Sequence, residues 1–230
     1  MPGVPVRMSY TIDLKRISIQ VYRGILKNQN LLPGRRSLLN ALEERFRRMA
    51  DAGIGNLFEL KNNLSTPQKL SALSAKTKIP EDYLVILKRE LSSFDQKPVP
   101  ISDFPGVNEQ TVHRLLEHSI KTSKDFYNMF MAAGGDEAIS SKTGVGEIAL
   151  NELYSLCNLV RINGVGAAAA RTLYESGYKN IEEIAHADPG DLLNRISETN
   201  SVGHYYNAKL GIKDAQFVID FAKLLFEFLV

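Results

Sequence analysis

Cysteine and tryptophan are scarce in this sequence, which has one cysteine, Cys157, and no tryptophan in 230 residues. A single cysteine excludes an intramolecular disulfide and indicates a reducing compartment. No apolar run approaches the roughly 18 residues that a membrane-spanning helix needs. The N-terminal stretch Met1–Arg7 lacks the apolar block of a secretory signal. We therefore expect a cytoplasmic protein with no membrane partner.

Patterns that carry catalysis or metal binding are also missing. The four histidines show no metal-ligand spacing with one another or with Cys157, and no Ser/His/Asp or paired-carboxylate arrangement stands out. The stretch Gly164–Ala169 resembles a dinucleotide-binding glycine turn, but such a turn requires a preceding strand. Thr143–Gly146 is not followed by the Lys and Ser or Thr of a P-loop. We expect no enzyme activity, no cofactor, no metal and no small-molecule substrate.

Charge is distributed unevenly along the chain, although the net charge is only +2. Residues 1–97 carry 17 Lys and Arg against 9 Asp and Glu, whereas residues 98–230 carry 11 against 17. A polyanion is therefore attracted to the first part and weakly repelled by the second. Arg35, Arg36, Arg45 and Arg48 lie near or on one predicted helix. They predict a surface for a nucleic-acid backbone, and an ordinary solvated helix face is the alternative.

Apolar residues recur at helical spacing along almost the whole chain. Leu39, Leu42, Phe46 and Met49, for example, form one stripe on a helix. A short strand at Ile17–Val21, where apolar and polar residues alternate, is a weaker alternative. The pattern as a whole predicts an all-α fold.

The sequence also repeats itself. Residues 42–87 align with residues 108–153 at a constant offset of 66, and six of the fifteen positions in 73–87 are identical to their equivalents. A looser third copy follows at an offset of 58, which changes to 67 in its second half and so implies a nine-residue insertion within 187–209. Asp188–Gly190 and Ser197–Gly203 have loop-like compositions in that interval. Such a repeat means that one folding unit is used more than once.

The repeat and the prolines suggest where the units begin and end. Pro98 and Pro100 cannot continue a helix, so they mark a boundary between the first and second copies. We predict an N-terminal helical arm at 1–34, a basic first unit with a degenerate hairpin at 35–97, a second unit at 98–157, and a third unit with a C-terminal helix at 158–230.

Three glycine turns directly precede predicted helices, at Pro105–Asn108, Thr143–Gly146 and Asn163–Gly166. Glycine permits a very tight turn between two helices, and the central valine of each turn anchors it to the core. The helix that follows begins with unpaired N–H groups and a partial positive charge, which together favour a phosphate.

The stretch Val160–Ala185 resembles the helix-hairpin-helix proteins, with an apolar pair, Gly-Val-Gly, small residues and a later Glu-Ile-Ala. Residues from Asp103 to Phe126 resemble the same pattern, with Asn108 in place of the second glycine. From about residue 30 to 224 the chain is similar to a family of uncharacterised, mostly bacterial helix-hairpin-helix-repeat proteins, catalogued as a domain of unknown function. The resemblance implies tandem helix-hairpin-helix-like (SAM-like) units. It also implies contacts to the DNA backbone without sequence preference, or contacts to a protein instead.

Two hypotheses for function follow. The first is a non-catalytic protein that binds DNA non-specifically through backbone phosphates. A Lys or Arg is common in the first turn after the second glycine of such hairpins, but here Ala167–Ala170 occupy that turn. The second hypothesis is a module for protein interaction or self-assembly, in which the hairpins are structural joints and oppositely charged parts attract, within one chain or in a homo-oligomer. The residues predicted to contact phosphate are Arg35, Arg36, Arg45, Arg48, Gly106, Val107, Asn108, Lys142, Gly144, Gly146, Gly164, Val165, Gly166 and Arg171.

Overall fold

The structure is a computed structural model that describes residues 9–29 and 31–228. All regular secondary structure in these residues is helical, which confirms the all-α prediction for this part of the chain. Extended pairing is limited to two isolated bridges there, Ser18 with Asn56 and Pro100 with Thr122. The strand considered at Ile17–Val21 does not form, because a helix begins at Ile19 and the Ser18 hydroxyl caps it by accepting from Val21 N–H at 3.1 Å.

The chain divides into two compact units, and each is described by itself. The first unit spans Ile12–Asp95, and the second contains the described residues up to Thr11 together with those from Gln96 onward. The division falls inside the proline-containing segment 92–101. The predicted arm, residues 1–34, is divided between the two units. Ser9–Thr11 belong to the second unit, whereas the helix Ile19–Asn28 belongs to the first unit.

The first unit contains five α-helices, with 3₁₀ helices at Pro33–Leu39 and Ser92–Phe94. Its core includes the ring of Tyr22, whose centroid lies 6.1 Å from that of Phe46 and 5.9 Å from that of Phe94. The α-helices are α1 (Ile19–Asn28), α2 (Leu42–Asp51), α3 (Leu57–Asn63), α4 (Pro67–Thr77) and α5 (Glu81–Leu91).

The second unit contains eight α-helices and a 3₁₀ helix at Ile101–Asp103. No helix in the described part of the chain is long and apolar enough to cross a membrane. The α-helices are α6 (Glu109–Glu117), α7 (Ser123–Ala133), α8 (Asp136–Thr143), α9 (Glu147–Leu159), α10 (Ala167–Glu175), α11 (Ile181–Ala185), α12 (Pro189–Gly203) and α13 (Ile212–Phe228).

The junction between α4 and α5 has the same local geometry as the junction between α8 and α9, which lies 66 residues later. The Thr77 hydroxyl donates to the Leu73 carbonyl at 2.7 Å, and the Thr143 hydroxyl donates to the Ile139 carbonyl at 2.8 Å. The next residue in each case is left-handed, with φ of 57° at Lys78 and 67° at Gly144. Lysine therefore occupies, at some conformational cost, a backbone position that favours glycine.

A second kind of junction recurs three times, after α2, α6 and α10. In each case a backbone N–H donates to the carbonyl five residues earlier, so the chain turns sharply and enters a capped helix. The three hydrogen bonds are Ile54 to Met49 at 3.1 Å, Ile120 to Leu115 at 3.0 Å and Tyr178 to Leu173 at 3.0 Å. These pairs are related by the offsets of 66 and 58 that the sequence shows.

The prediction of loops at Asp188–Gly190 and Ser197–Gly203 was wrong, because both stretches belong to α12 or its cap. The Asp188 carboxylate accepts from Gly190 N–H at 2.8 Å, and Pro189 stands at the first helical position, where proline is well suited. Buried Leu192 and Ile196, four residues apart, hold one face of the helix against the core. The irregular segment lies at 204–211 instead.

A buried arginine holds the N-terminal residues in the second unit. Arg161 is 2% exposed. Its Nε donates to the Tyr10 carbonyl at 2.9 Å and its Nη2 to the Ser9 carbonyl at 3.0 Å. Its Nη1 donates to the Tyr127 hydroxyl at 2.9 Å and to Asn158 Oδ1 at 2.6 Å. Burial lowers the pKa of the Arg161 guanidinium, which nevertheless remains protonated at neutral pH. None of the carboxylates in the described residues forms an ion pair with it.

The Ser123 hydroxyl, also buried, ties two distant segments together. It lies 2.7 Å from the Tyr10 hydroxyl and accepts from Val99 N–H at 2.9 Å. Burial raises the pKa of Tyr10 to about 12. Ser9–Thr11 and the segment around Val99 are therefore both fixed to the start of α7.

Candidate nucleic-acid interface

The first unit carries the positive charge of the protein. Residues 12–95 contain 15 Lys and Arg and 9 Asp and Glu, a net charge of +6. Within this unit the 3₁₀ helix Pro33–Leu39, α2 and α5 meet. Arg45 of α2 places its Cζ 4.1 Å from the ring centroid of Tyr83 in α5, and the Tyr83 hydroxyl donates to the Leu38 carbonyl at 3.1 Å. Burial raises the pKa of Tyr83 to about 12, so its hydroxyl stays a donor at neutral pH.

We use the name basic surface for Arg36, Arg45 and Arg89, which belong to the 3₁₀ helix Pro33–Leu39, α2 and α5. Arg36 and Arg89 are exposed and lie next in sequence to Arg35 and Glu90, whose ion pair at 2.5 Å brings the backbones of the two segments close together. Neither exposed arginine forms an ion pair within the described ranges. The basic surface therefore offers guanidinium groups to an external anion. Arg89 was not among the predicted contacts, because only its neighbourhood in the fold connects it with Arg36.

Arg35 and Arg48 are partly exposed, and both have partners within the first unit. The Arg35 guanidinium pairs with Glu90, whose side chain is only 4% exposed. Arg48 pairs with Glu44 and donates to the Lys78 carbonyl at 3.3 Å. The equivalent residue 66 positions later, Arg114, donates to the Gly144 carbonyl, which is the equivalent acceptor. Arg48 thus satisfies a helix C-terminus in a contact that the chain uses twice.

The second unit carries the glycine turns that were predicted. Gly106, Gly144 and Gly164 have φ of 80°, 67° and 85°, a left-handed region in which side chains are strained. The valine of the third turn, Val165, is buried, whereas Val107 of the first is half-buried. These backbone angles account for glycine at the three positions.

The helices after these turns differ in how their first N–H groups are used. The Asn108 side chain accepts from Gln110 N–H at 2.7 Å at the start of α6. Gly166 and Gly146 are the N-cap residues of α10 and α9, and no described side chain caps either helix. The first turns of α6 and α9 contain the acidic residues Glu109 and Glu147, whereas that of α10 contains no acidic residue. The α10 N-terminus is therefore the more favourable of the three for an anion.

The residues around the glycine turns include charged, exposed apolar and aromatic side chains. Lys142 is exposed in the last turn of α8, two residues before Gly144. Ile148, in the first turn of α9, is 87% exposed. A Cβ added at Gly164 would lie 3.6 Å from the ring of Phe217 in α13, so an aromatic side chain already contacts this turn.

Arg171 is not a surface residue, so its prediction as a phosphate contact needs correction. Its side chain is 5% exposed and pairs with Glu152 at 2.6 Å and with Glu175 at 3.0 Å. Its Nε donates to the Pro105 carbonyl at 2.6 Å. A Cβ at Gly106 would lie 3.3 Å from its Nη2. Arg171 therefore ties α10 to the turn before α6, and Gly106 leaves room for it.

The single cysteine does not form a reactive site, and the described residues contain no cluster suited to a metal ion. Cys157 is fully buried, as the sequence predicts, and burial raises the pKa of its thiol well above the ordinary value. A buried thiol of this kind is unreactive. Among the described residues no group of three or more His, Cys, Asp and Glu could hold a metal ion.

Comparison with known proteins identifies a family. Residues 105–224, slightly more than half of the chain, match the family described as "Domain of unknown function (DUF4332)". The same comparisons gave no match among curated proteins and none among solved structures. The matched region begins at the first glycine turn, contains α6–α12 whole, and ends within α13. The chain belongs to the DUF4332 family.

Proposed function

We propose that this protein binds nucleic acid non-specifically through backbone phosphates and performs no catalysis. The observation that carries the proposal is the basic surface of the first unit, where exposed Arg36 and Arg89 lie next in sequence to the Arg35–Glu90 ion pair in a unit of net charge +6. Arginine suits phosphate because its planar fork donates two parallel hydrogen bonds. Contacts to phosphates carry no base sequence, so such a surface binds without preference.

We further propose that the architecture is three tandem helix-hairpin-helix-like units. The recurring turns after α2, α6 and α10, and the matching junctions α4–α5 and α8–α9, support this interpretation. Gly146 and Gly166 of the hairpins leave open space beside the backbone, whereas Gly106, Gly144 and Gly164 lie against Arg171, Arg114 and Phe217. In the second unit the α10 N-terminus would contribute a phosphate contact, and exposed Lys142 in the last turn of α8 would contribute another.

The test is binding of the full chain to a mixed-sequence DNA duplex across a salt titration. Each phosphate neutralised contributes about −0.9 to the slope of log K against log salt. We expect Arg36→Glu/Arg89→Glu to reduce the steepness of that slope by about 2. Fluorescence anisotropy of a labelled duplex measures both the affinity and the slope.

The matched control reverses two exposed lysines of the second unit, as Lys124→Glu/Lys223→Glu. We expect this control to weaken binding much less, because the basic surface is left intact. Affinity in the unmodified protein that is insensitive to salt, or equal loss in both double variants, would contradict the proposal.

A second candidate function, protein interaction or self-assembly, is favoured by one observation. Ile148 is 87% exposed in the first turn of α9, where an apolar side chain contributes nothing to a phosphate contact. Contact with a protein partner would remove the Ile148 side chain from water. Under this candidate, sedimentation at micromolar concentration shows an oligomer that Ile148→Asp converts to monomer, while Ile212→Asp, a change at another exposed isoleucine, leaves it intact. A monomer at all concentrations and salts removes self-assembly from consideration.

A further inference from the structure

An apolar pocket of about 200 Å³ lies in the second unit between α10, α12 and α13. Buried Val165, Leu173 and Leu192 line it, and half-buried Phe217 and Tyr206 also contribute. An apolar cavity of about 150 Å³ is large enough to hold benzene. The pocket therefore has room for one aromatic ring with a small substituent.

The pocket depends on the irregular segment 204–211, which supplies Tyr206 and Leu210 to its lining. Asn200 of α12 fixes this segment through two hydrogen bonds to Tyr206. Its Nδ2 donates to the Tyr206 carbonyl at 3.0 Å, and Tyr206 N–H donates to its Oδ1 at 3.2 Å. Only Gly144, Val145 and Gly146 separate α8 from α9, so the corresponding junction of the preceding repeat has no such segment.

The polar groups of the lining select a kind of ligand. Asp214 is the only charged side chain among the described residues that line the pocket, and it is exposed. One of its oxygens accepts from Gly211 N–H at 2.8 Å, which fixes the carboxylate. The Thr172 hydroxyl already donates to the Ala168 carbonyl at 3.0 Å. A carboxylate beside an apolar pocket attracts a cation and repels an anion.

We infer that this pocket binds a small apolar molecule that carries an ammonium group, with its ring among Leu173, Leu192 and Phe217 and its charge beside Asp214. Burial of the ring excludes water from apolar surface, and the ammonium stays at the solvent-exposed edge, where its desolvation cost is small. The inference does not rest on the basic surface of the first unit, although the pocket lining includes Gly164 and Val165 of the third glycine turn.

The experiment compares benzylamine, benzyl alcohol and benzoate as probes of the full chain. Binding is followed through the methyl NMR signals of leucine and valine. We expect saturable shifts of the Leu173 and Leu192 methyls, with benzylamine binding most tightly and benzoate least. Asp214→Asn keeps an acceptor for Gly211 N–H and removes the charge, so it should weaken benzylamine about threefold and leave benzyl alcohol unchanged.

Two further variants separate the pocket from general effects. Asp220→Asn removes a carboxylate of the same helix that does not line the pocket, and it should leave all three affinities unchanged. Ala169→Leu adds volume at a half-buried lining position and should abolish binding of every probe. If Ala169→Leu does not fold, the two aspartate variants decide the question. Benzoate binding as tightly as benzylamine, or an absence of saturable shifts, would overturn the inference.

Discussion

We expect Arg161→Met to lower the free energy of unfolding by about 3 to 5 kcal/mol. The substitution keeps most of the side-chain volume but removes every donor from a buried site. The carbonyls of Ser9 and Tyr10 and the side chains of Tyr127 and Asn158 would all lose a hydrogen-bond partner. Urea unfolding followed by circular dichroism measures the loss. The acceptors on Tyr10, Tyr127 and Asn158 are buried, so water cannot replace the donor that they lose.

The matched control is Arg114→Met in the same unit. Arg114 is exposed and donates to one backbone carbonyl, that of Gly144, which water can reach. We expect that control to cost less than about 1 kcal/mol. Equal losses in the two variants would mean that Arg161 does not hold the N-terminal residues. Residues 9–11 lie outside the family match at 105–224, so the experiment also tests whether the folded unit extends beyond that match.

A second large effect is expected for Arg35→Met, which should lower the free energy of unfolding by about 2 to 4 kcal/mol. Glu90 is 4% exposed in its side chain and has Arg35 as its ion-pair partner at 2.5 Å. Removing the guanidinium leaves a buried carboxylate without its partner, which is worse than removing both charges. Adding Glu90→Gln to Arg35→Met should therefore recover part of the lost stability.

Arg36→Met is the matched control, because Arg36 is the adjacent arginine and is exposed. The sequence alone does not distinguish the role of Arg35 from that of Arg36. We expect it to change stability by less than about 0.5 kcal/mol. The Arg35→Met and Arg36→Met variants distinguish an effect on stability from an effect on DNA binding. Arg36→Met should weaken DNA affinity while remaining as stable as the unmodified protein. A large loss of stability in Arg36→Met, or none in Arg35→Met, would contradict this division of roles.

Much of the helical structure was predictable because its signals are local. Apolar spacing marked the helices, as buried Leu42, Phe46 and Met49 on α2 show. The glycines at 106, 144 and 164 are needed by the backbone angles of single residues, so they could also be recognised. The loop prediction within α12 was wrong because it also relied on local residue preferences. Asp, Pro, Gly and Ser suit loops, but buried Leu192 and Ile196 outweigh that local preference.

The roles of individual arginines were not predictable in this way. Arg35, Arg48 and Arg171 were all predicted to contact phosphate, yet each has partners far away in sequence, at Glu90, Lys78 and Pro105. The sequence around Arg161 gives no indication that this arginine is buried and hydrogen-bonded, because its acceptors at Ser9 and Tyr10 lie about 150 residues earlier. A charged residue looks the same in sequence whether it faces water or closes a buried network.

The sequence by itself determined that the chain is helical, where its glycine turns lie, and that similar turns recur at offsets of 66 and 58. These properties follow from propensities and backbone angles of residues close together in the chain. Only the tertiary structure decided which charges are open to a ligand and which are neutralised, and how the segment 204–211 lines an apolar pocket. Burial and ion pairing depend on residues that meet through folding, so no local pattern contains them.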